Sequence, residues 1–309
     1  MAANAARIAL VLTLAGSLIV LPVVLARHML ATARTAVLSK EPNYLSHTRP
    51  SDDSKDPLPS RLKRLLRDDM RSTQAVPRIF MTRLPDILPT ERDVQTKKRL
   101  FTSTLLPIIL RANEMLLTDR ARLQSFKTRL MDGGRLLASE RDWLDGLAAR
   151  YRVPLGDTPL PAVIDRLLVR VDIIPPSLAL AQAAMESGWG TSYFSQKGNA
   201  LFGEWVWNDD TGLLPRNRDE GKTHRIKRFD YLLDSVLSYM TNLNRHRVYH
   251  DLRLRRAELR THNLPVTGRA LAPALGSYSE RGSDYVSEVL SIINYNQLDR
   301  LDYAQLATG

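Results

Sequence analysis

The stretch "LALAQAAMESGWGTS", residues 178 to 192, decides the fold. Between Leu178 and Glu186 the only polar side chains are Gln182 and Glu186. A helix that is apolar nearly all round must sit at the centre of a fold, with other elements on every side. The preceding "IIPPS", residues 173 to 177, breaks any earlier helix, and Pro176 or Ser177 starts this one. Gly188 and Gly190 can end it in the left-handed conformation. The reading predicts a central helix with a carboxylate, Glu186, in its last turn. The last turn already carries partial negative charge from its free carbonyls, so an acid there has the wrong sign.

Outward from this helix the pattern stays helical. Upstream, the helical period begins near Thr90 and carries Leu105, Ile108, Ile109, Leu116 and Leu117, with Pro107 marking a kink or a helix start. Further helices are predicted from Ala138 to Tyr151 and from Pro161 to Val171. Downstream, "GEWVWN" and "KTHRIKRF" alternate like strands around the turn residues "DDTG", so residues 203 to 229 read as a small β-hairpin region. From Asp230 the helical period returns with Leu232, Leu233, Val236, Leu237, Met240 and Leu243. Two more helices follow near 265–275 and 283–297. The expected class is α+β, mostly helical, with one small β-hairpin region.

The 309 residues suffice for one or two domains, and 44% apolar with 25% charged residues is ordinary for a globular chain. The chain has no cysteine, which excludes disulfides and thiolate metal sites and suits an oxidising compartment. Forty-four Lys and Arg against 33 Asp and Glu give a formal charge of +11, which favours polyanionic partners such as nucleic acid, anionic lipid or an acidic wall polymer. At the N-terminus, Arg7 precedes 19 uncharged residues from Ile8 to Ala26, closed by Arg27 and His28. That run is close to the ~20 residues needed to span a bilayer. Residues 1–30 therefore read first as an uncleaved membrane anchor and second as a signal peptide. A literal count of flanking basic residues would keep the body in the cytoplasm. The signal-like start and the large downstream domains favour export. Residues 31–75, rich in Pro, Ser and charge around "KEPNYLSHTRPSDDSKDPLPS", read as a linker.

The misplaced carboxylate has a chemical use. Apolar neighbours such as Met185 and Trp189, burial and the helix dipole all disfavour the ionised form of Glu186, so its pKa should be raised. A carboxylic acid held protonated near neutral pH is what protonating a departing sugar oxygen requires. Gly188 and Gly190 would let a substrate chain approach the backbone, and Trp189, Trp205, Trp207 and Tyr193 offer flat faces for sugar rings. The competing reading has Glu186 capping or pairing with an arginine and the tryptophans in the core.

The segment "ALAQAAMESGWGTSYFSQKGNALFGEW" resembles the signature of bacterial glucosaminidases of glycoside hydrolase family 73, and the chain is similar to their Bax-type members. The resemblance rests on Glu-Ser-Gly-Trp-Gly at the helix end and on Gly198 through Gly203. It extends to "VPRIFMTRLP" at 76–85 and "LPIILRANE" at 106–114, which resemble the helical preamble of those proteins. It implies a lysozyme-like domain over 151–303, preceded by a helical segment over 76–150. It also implies an endo-β-N-acetylglucosaminidase cleaving the β-1,4 bond after N-acetylglucosamine in peptidoglycan glycan strands. By the same resemblance Glu186 matches the catalytic acid, and Glu220, with Asp219 beside it, matches the second carboxylate from the β region. Trp189, Asn199, Phe202, Tyr278 and Tyr285 are the implied substrate contacts. No cofactor is implied. A lytic transglycosylase or muramidase of the same broad fold is the nearest alternative, followed by a wall-binding protein without chemistry.

Two other signals carry less. His246 and His250 are four apart, but no HExxH pattern surrounds them and the neighbouring arginines would repel a cation, so no metal site is expected. The run from Arg245 to Arg260 holds six arginines against Asp251 and Glu258 and reads as a solvated basic helix. It belongs to no nucleic-acid recognition module, and nucleic acid is not an expected partner.

Overall fold

The computed structural model describes residues 44–45, 75–206, 212–214 and 225–308. The apolar N-terminal run and Glu220 lie outside them. The chain divides into two units, residues 1–44 and 45–309, and every element named below belongs to the second.

Central to that unit is α1 (Val94–Met131), a 38-residue helix whose start is capped by Asp93, which accepts from the Thr96 N–H at 2.7 Å. Pro107 lies inside the helix and does not start it. By length and composition α1 could cross a bilayer, but 72% of its most apolar window is buried in the protein, which makes it a core helix. Helices α2 (Ala138–Arg150) and α3 (Leu160–Arg170) follow as expected, α3 burying Val163, Ile164 and Leu167 along one stripe. The start of the "preamble" differs from its expectation. Residues 76–85 contain no helix and are tied to the C-terminus: the Val76 N–H donates to the Gln305 carbonyl at 2.7 Å, and the Ala307 N–H to the Val76 carbonyl at 2.8 Å.

Helix α4 (Pro176–Ser187) is the central helix the sequence predicts, with every residue from Pro176 to Ala184 buried. Burying Leu178 and Leu180 contributes ~1.5–3 kcal/mol each, which outweighs the lack of any side-chain cap at Pro175. Asp302 supplies the missing cap from a distance. Its carboxylate accepts from the Ser177 N–H and Oγ, both at 2.8 Å, and from the Gly268 N–H at 2.9 Å. The approach to α4 is held by Asn113 of α1, whose amide exchanges hydrogen bonds with both backbone groups of Ile174. At its other end Gly188, Trp189 and Gly190 are successively left-handed. A Cβ on Gly190 would lie 2.9 Å from a Leu84 methyl, so close packing as well as conformation requires glycine there.

A short helix missed in the sequence, α5 (Tyr193–Gly198), starts on the Ser192 side chain and ends on left-handed Asn199. The β region is smaller than its alternation suggested. Trp205–Val206 (β1) and Arg225–Ile226 (β2) pair antiparallel with Trp205 opposite Ile226, and Leu213 bridges to Ile226. Then come α6 (Leu232–Arg245), α7 (His250–Thr261), the short α8 (Gly268–Leu271) and α9 (Ser283–Tyr295). The unit is α+β and lysozyme-like, mostly helical with a small antiparallel hairpin and a further short strand at Phe80–Met81 among the described residues.

The solvated reading of the basic run requires correction. Arg253 and Arg256 of α7 are 2% and 1% exposed. Arg256 donates to the Val169 and Arg170 carbonyls, which end α3, and to those of Asp172 and Ile173. Its guanidinium thus caps the negative end of α3. Asp172, also buried, pairs with Arg260 at 2.9 Å and with Arg120 at 3.5 Å. Burial alone would raise the Asp172 pKa, but the Arg260 hydrogen bond and the charges of Arg256 and Arg120 prevail and hold it low.

Candidate active site

Glu186 is the penultimate residue of α4, and unlike the rest of that helix it is exposed. The expectation that it is buried therefore fails in its simple form. The residue opens to solvent while protein atoms crowd its carboxyl group, and this desolvation raises its pKa. The Tyr285 hydrogen bond opposes the rise, the nearby Glu288 charge adds to it, and the Arg281 charge opposes it. An acid that is reachable and still biased toward its protonated form can donate a proton to a bound group.

Behind Glu186 runs a chain of hydrogen bonds. The Tyr239 hydroxyl donates to Gln182 Oε1 at 2.6 Å, Gln182 Nε2 donates to Tyr285 Oη at 2.8 Å, and the Tyr285 hydroxyl donates to Glu186 Oε1 at 3.3 Å. Gln182 and Tyr239 are wholly or nearly buried, so Gln182 is the other polar residue of the central helix put to use. Burial pushes the Tyr239 and Tyr285 hydroxyls well above the ordinary tyrosine pKa, so they act as hydrogen-bond donors and not as acids. The Tyr285 ring stacks on Tyr278 at 5.1 Å, and Tyr278 tilts against Tyr249 at 5.8 Å, making an aromatic wall beside the carboxyl.

The other expected contacts divide. Asn199 is 3% exposed, and its amide nitrogen donates to the carbonyls of Thr82, Phe229 and Asp230, clamping α5 to the segments around it. Phe202, 5% exposed, stacks on Tyr239 with centroids 3.8 Å apart. Both face inward and serve as scaffold. Trp189 is half-buried, its edge on Phe101 at 5.6 Å and its face covered by the Lys98 ammonium at 4.9 Å. Trp205 and Tyr193 are exposed. Glu220, Asp219 and Trp207 lie outside the described residues.

Glu204 escaped the sequence reading. It follows Gly203, where a Cβ would stand 3.8 Å from Glu186 Oε2. Its Oε2 accepts from Ser238 Oγ at 2.7 Å, and Lys227 Nζ lies 3.6 Å away. Its Oε1 is buried without a partner among the described residues. Burial raises its pKa against the opposing Lys227 charge and Ser238 hydrogen bond. Its position beside the Gly198–Gly203 motif was the available signal. Among the described residues no group of three or more His, Asp or Glu side chains could hold a metal ion.

Residues 163–298, which include α4, the hairpin and α9, match the glucosaminidase family described as mannosyl-glycoprotein endo-beta-N-acetylglucosaminidase. Over 201 residues the chain is 33% identical to Protein bax of Escherichia coli (strain K12), covering 65% of this chain and 70% of that protein. The chain belongs to the Bax-type glucosaminidase-domain family. No solved structure matches it. Family membership supports a glycosidase, and the matched region contains the Glu186 helix near its start.

Proposed function

We propose that the protein is a peptidoglycan hydrolase, an endo-β-N-acetylglucosaminidase that cleaves the β-1,4 bond after N-acetylglucosamine with Glu186 as general acid. The observation that carries this reading is the Glu186 carboxyl itself: reachable from solvent, biased toward protonation by its surroundings, and hydrogen-bonded on one oxygen by Tyr285. Glu186 gives its proton to the glycosidic oxygen as the bond from that oxygen to C1 breaks. The Tyr285 hydroxyl then stabilises the carboxylate that remains. Glu220, with Asp219 as its alternative, supplies the second carboxylate, as base for the attacking water or as stabiliser of the positive charge at C1. Tyr278 and Trp189 offer walls for the sugar rings, and Tyr285, 3% exposed, acts through its hydroxyl on Glu186. The apolar run at residues 8–26 would hold the protein at the inner membrane facing the periplasm, or, if removed, release it there.

The test is mass spectrometry of fragments released from isolated peptidoglycan by the full-length protein. New reducing ends made of N-acetylglucosamine support the reading. Anhydromuramic ends would reassign the protein to the lytic transglycosylases, and muramic reducing ends to the muramidases.

A further inference from the structure

The hydrogen-bond chain behind Glu186 has a direction, and the direction is set at its buried end. Tyr239 is 2% exposed, and its hydroxyl hydrogen goes to Gln182 Oε1. That bond orients the Gln182 amide so that its nitrogen faces Tyr285, whose lone pair is then used and whose own hydrogen is left for Glu186 Oε1. Reversing the chain would require a flipped amide, with Gln182 donating to Tyr239 and accepting from Tyr285. The Tyr239 hydrogen would then lose its bond to Gln182 Oε1, and a buried hydroxyl deprived of its acceptor is disfavoured.

The consequence falls on Glu186. Its Oε1 accepts from Tyr285, and a proton on that oxygen would have to point away from the Tyr285 hydrogen and would weaken the bond, because the hydroxyl oxygen of a carboxylic acid is a poorer acceptor than its carbonyl oxygen. Its Oε2 makes no hydrogen bond among the described residues and faces Gly203, where the missing side chain leaves room. We infer that Tyr239 and Gln182 are positioning residues which, through Tyr285, confine the transferable proton of Glu186 to Oε2, the oxygen on the Gly203 side. This rests on the reading of Glu186 as the acid. The charged and titratable groups facing Glu186 are Tyr285 and Glu288 of α9, Arg281 just before it, Tyr278, Tyr249 ahead of α7, and Tyr239 of α6.

The test is the titration of Glu186 in the full-length protein, read by carboxyl-carbon NMR with labelled glutamate and assigned by its loss in Glu186→Gln. Tyr239→Phe keeps the ring that stacks on Phe202 but removes the hydrogen that fixes the amide. The amide becomes free to flip, and a proton on Oε1 gains Tyr285 as an acceptor. The Glu186 pKa should rise, the alkaline limb of kcat should move up with it, and kcat should fall by about tenfold or more at unchanged KM, because the proton now rests on the wrong oxygen. In a Tyr285→Phe background the same substitution should shift nothing further, since its effect travels through Tyr285. An unshifted titration in Tyr239→Phe, or an equal shift in both backgrounds, overturns the inference. If Tyr239→Phe does not fold, Gln182→Met replaces it: with the amide gone nothing donates to Tyr285, whose oxygen is then free to accept from a proton on Glu186 Oε1, so an unshifted titration again overturns the inference. The NMR titration needs no substrate. A wild type without turnover therefore defeats the glycosidase reading alone, and an unshifted Glu186 defeats the relay alone.

Discussion

Replacing Arg256 with Met should cost the fold much of its stability. The guanidinium is buried and makes five hydrogen bonds of 2.8–3.2 Å, four to the backbone carbonyls of Val169, Arg170, Asp172 and Ile173 and one to Asn244 Oδ1. Burial pulls its pKa down to about 10, with the Asp172 charge opposing, so it is ionised at neutral pH. Bonds to charged groups are worth ~1.5–3 kcal/mol each when deleted singly. Five of them summed would rival the entire stability of a typical domain, ~5–15 kcal/mol, so they cannot add independently. The relevant magnitude is that of breaking a buried ion pair by removing one partner, ~3–5 kcal/mol. Met restores most of the volume and isolates the polar loss. Denaturant unfolding of the full-length protein, followed by circular dichroism, measures it. Arg255, on the same helix but exposed and paired with exposed Glu258, is the control, and Arg255→Met should change stability by less than ~1 kcal/mol. An Arg256→Met loss no larger than that of Arg255→Met would refute the claim that α7 grips the end of α3.

Three further outcomes follow from packing and titration. Asp302→Ala removes the acceptor shared by the starts of α4 and α8 and should lower stability by ~1–3 kcal/mol in the same unfolding assay. Gly190→Ala should cost ~1–3 kcal/mol, because its Cβ would press on Leu84 and Phe101 at a left-handed φ of 77°. Glu204 has a raised pKa in the fold, so its contribution is full in acid and lost as pH rises through that pKa. Glu204→Gln, which cannot ionise, should therefore raise the melting temperature at alkaline pH and change it little in acid. A gain confined to acid would contradict the sign.

What could be read from the sequence were features whose causes are local. The central helix was legible because its apolar composition, its prolines and its Gly-Trp-Gly end all lie within one segment. Helix α5 was equally local, with Ser192 at its start and Asn199 at its end, but six residues are too few for a periodicity to show. The basic helix was misread because charge counting ignores direction. Arg253, Arg256 and Arg260 recur at helical spacing: Arg253 turns to the nearby carbonyls of Leu243 and His246, whereas Arg256 and Arg260 reach the carbonyl and carboxylate of Asp172, 84 and 88 residues earlier in the chain. The site divides the same way. Glu186 announced itself by the misfit of its charge. Glu204 beside its motif and Gln182 in its apolar helix each left a local mark, but their partners come from α6 and α9, distant in sequence, so the mark did not reveal what they do. The exposure of Glu186, too, is a property of what the neighbouring helices leave uncovered.

The central claim is that Glu186 is the proton donor, and it is tested most directly by measuring glycan cleavage with wild type and Glu186→Gln side by side. The amide keeps the size and the Tyr285 hydrogen bond but has no proton to give. The account predicts release of reducing ends from isolated peptidoglycan by the wild type, and a loss of at least ~100-fold in the variant with binding retained. Equal release by both proteins would contradict it.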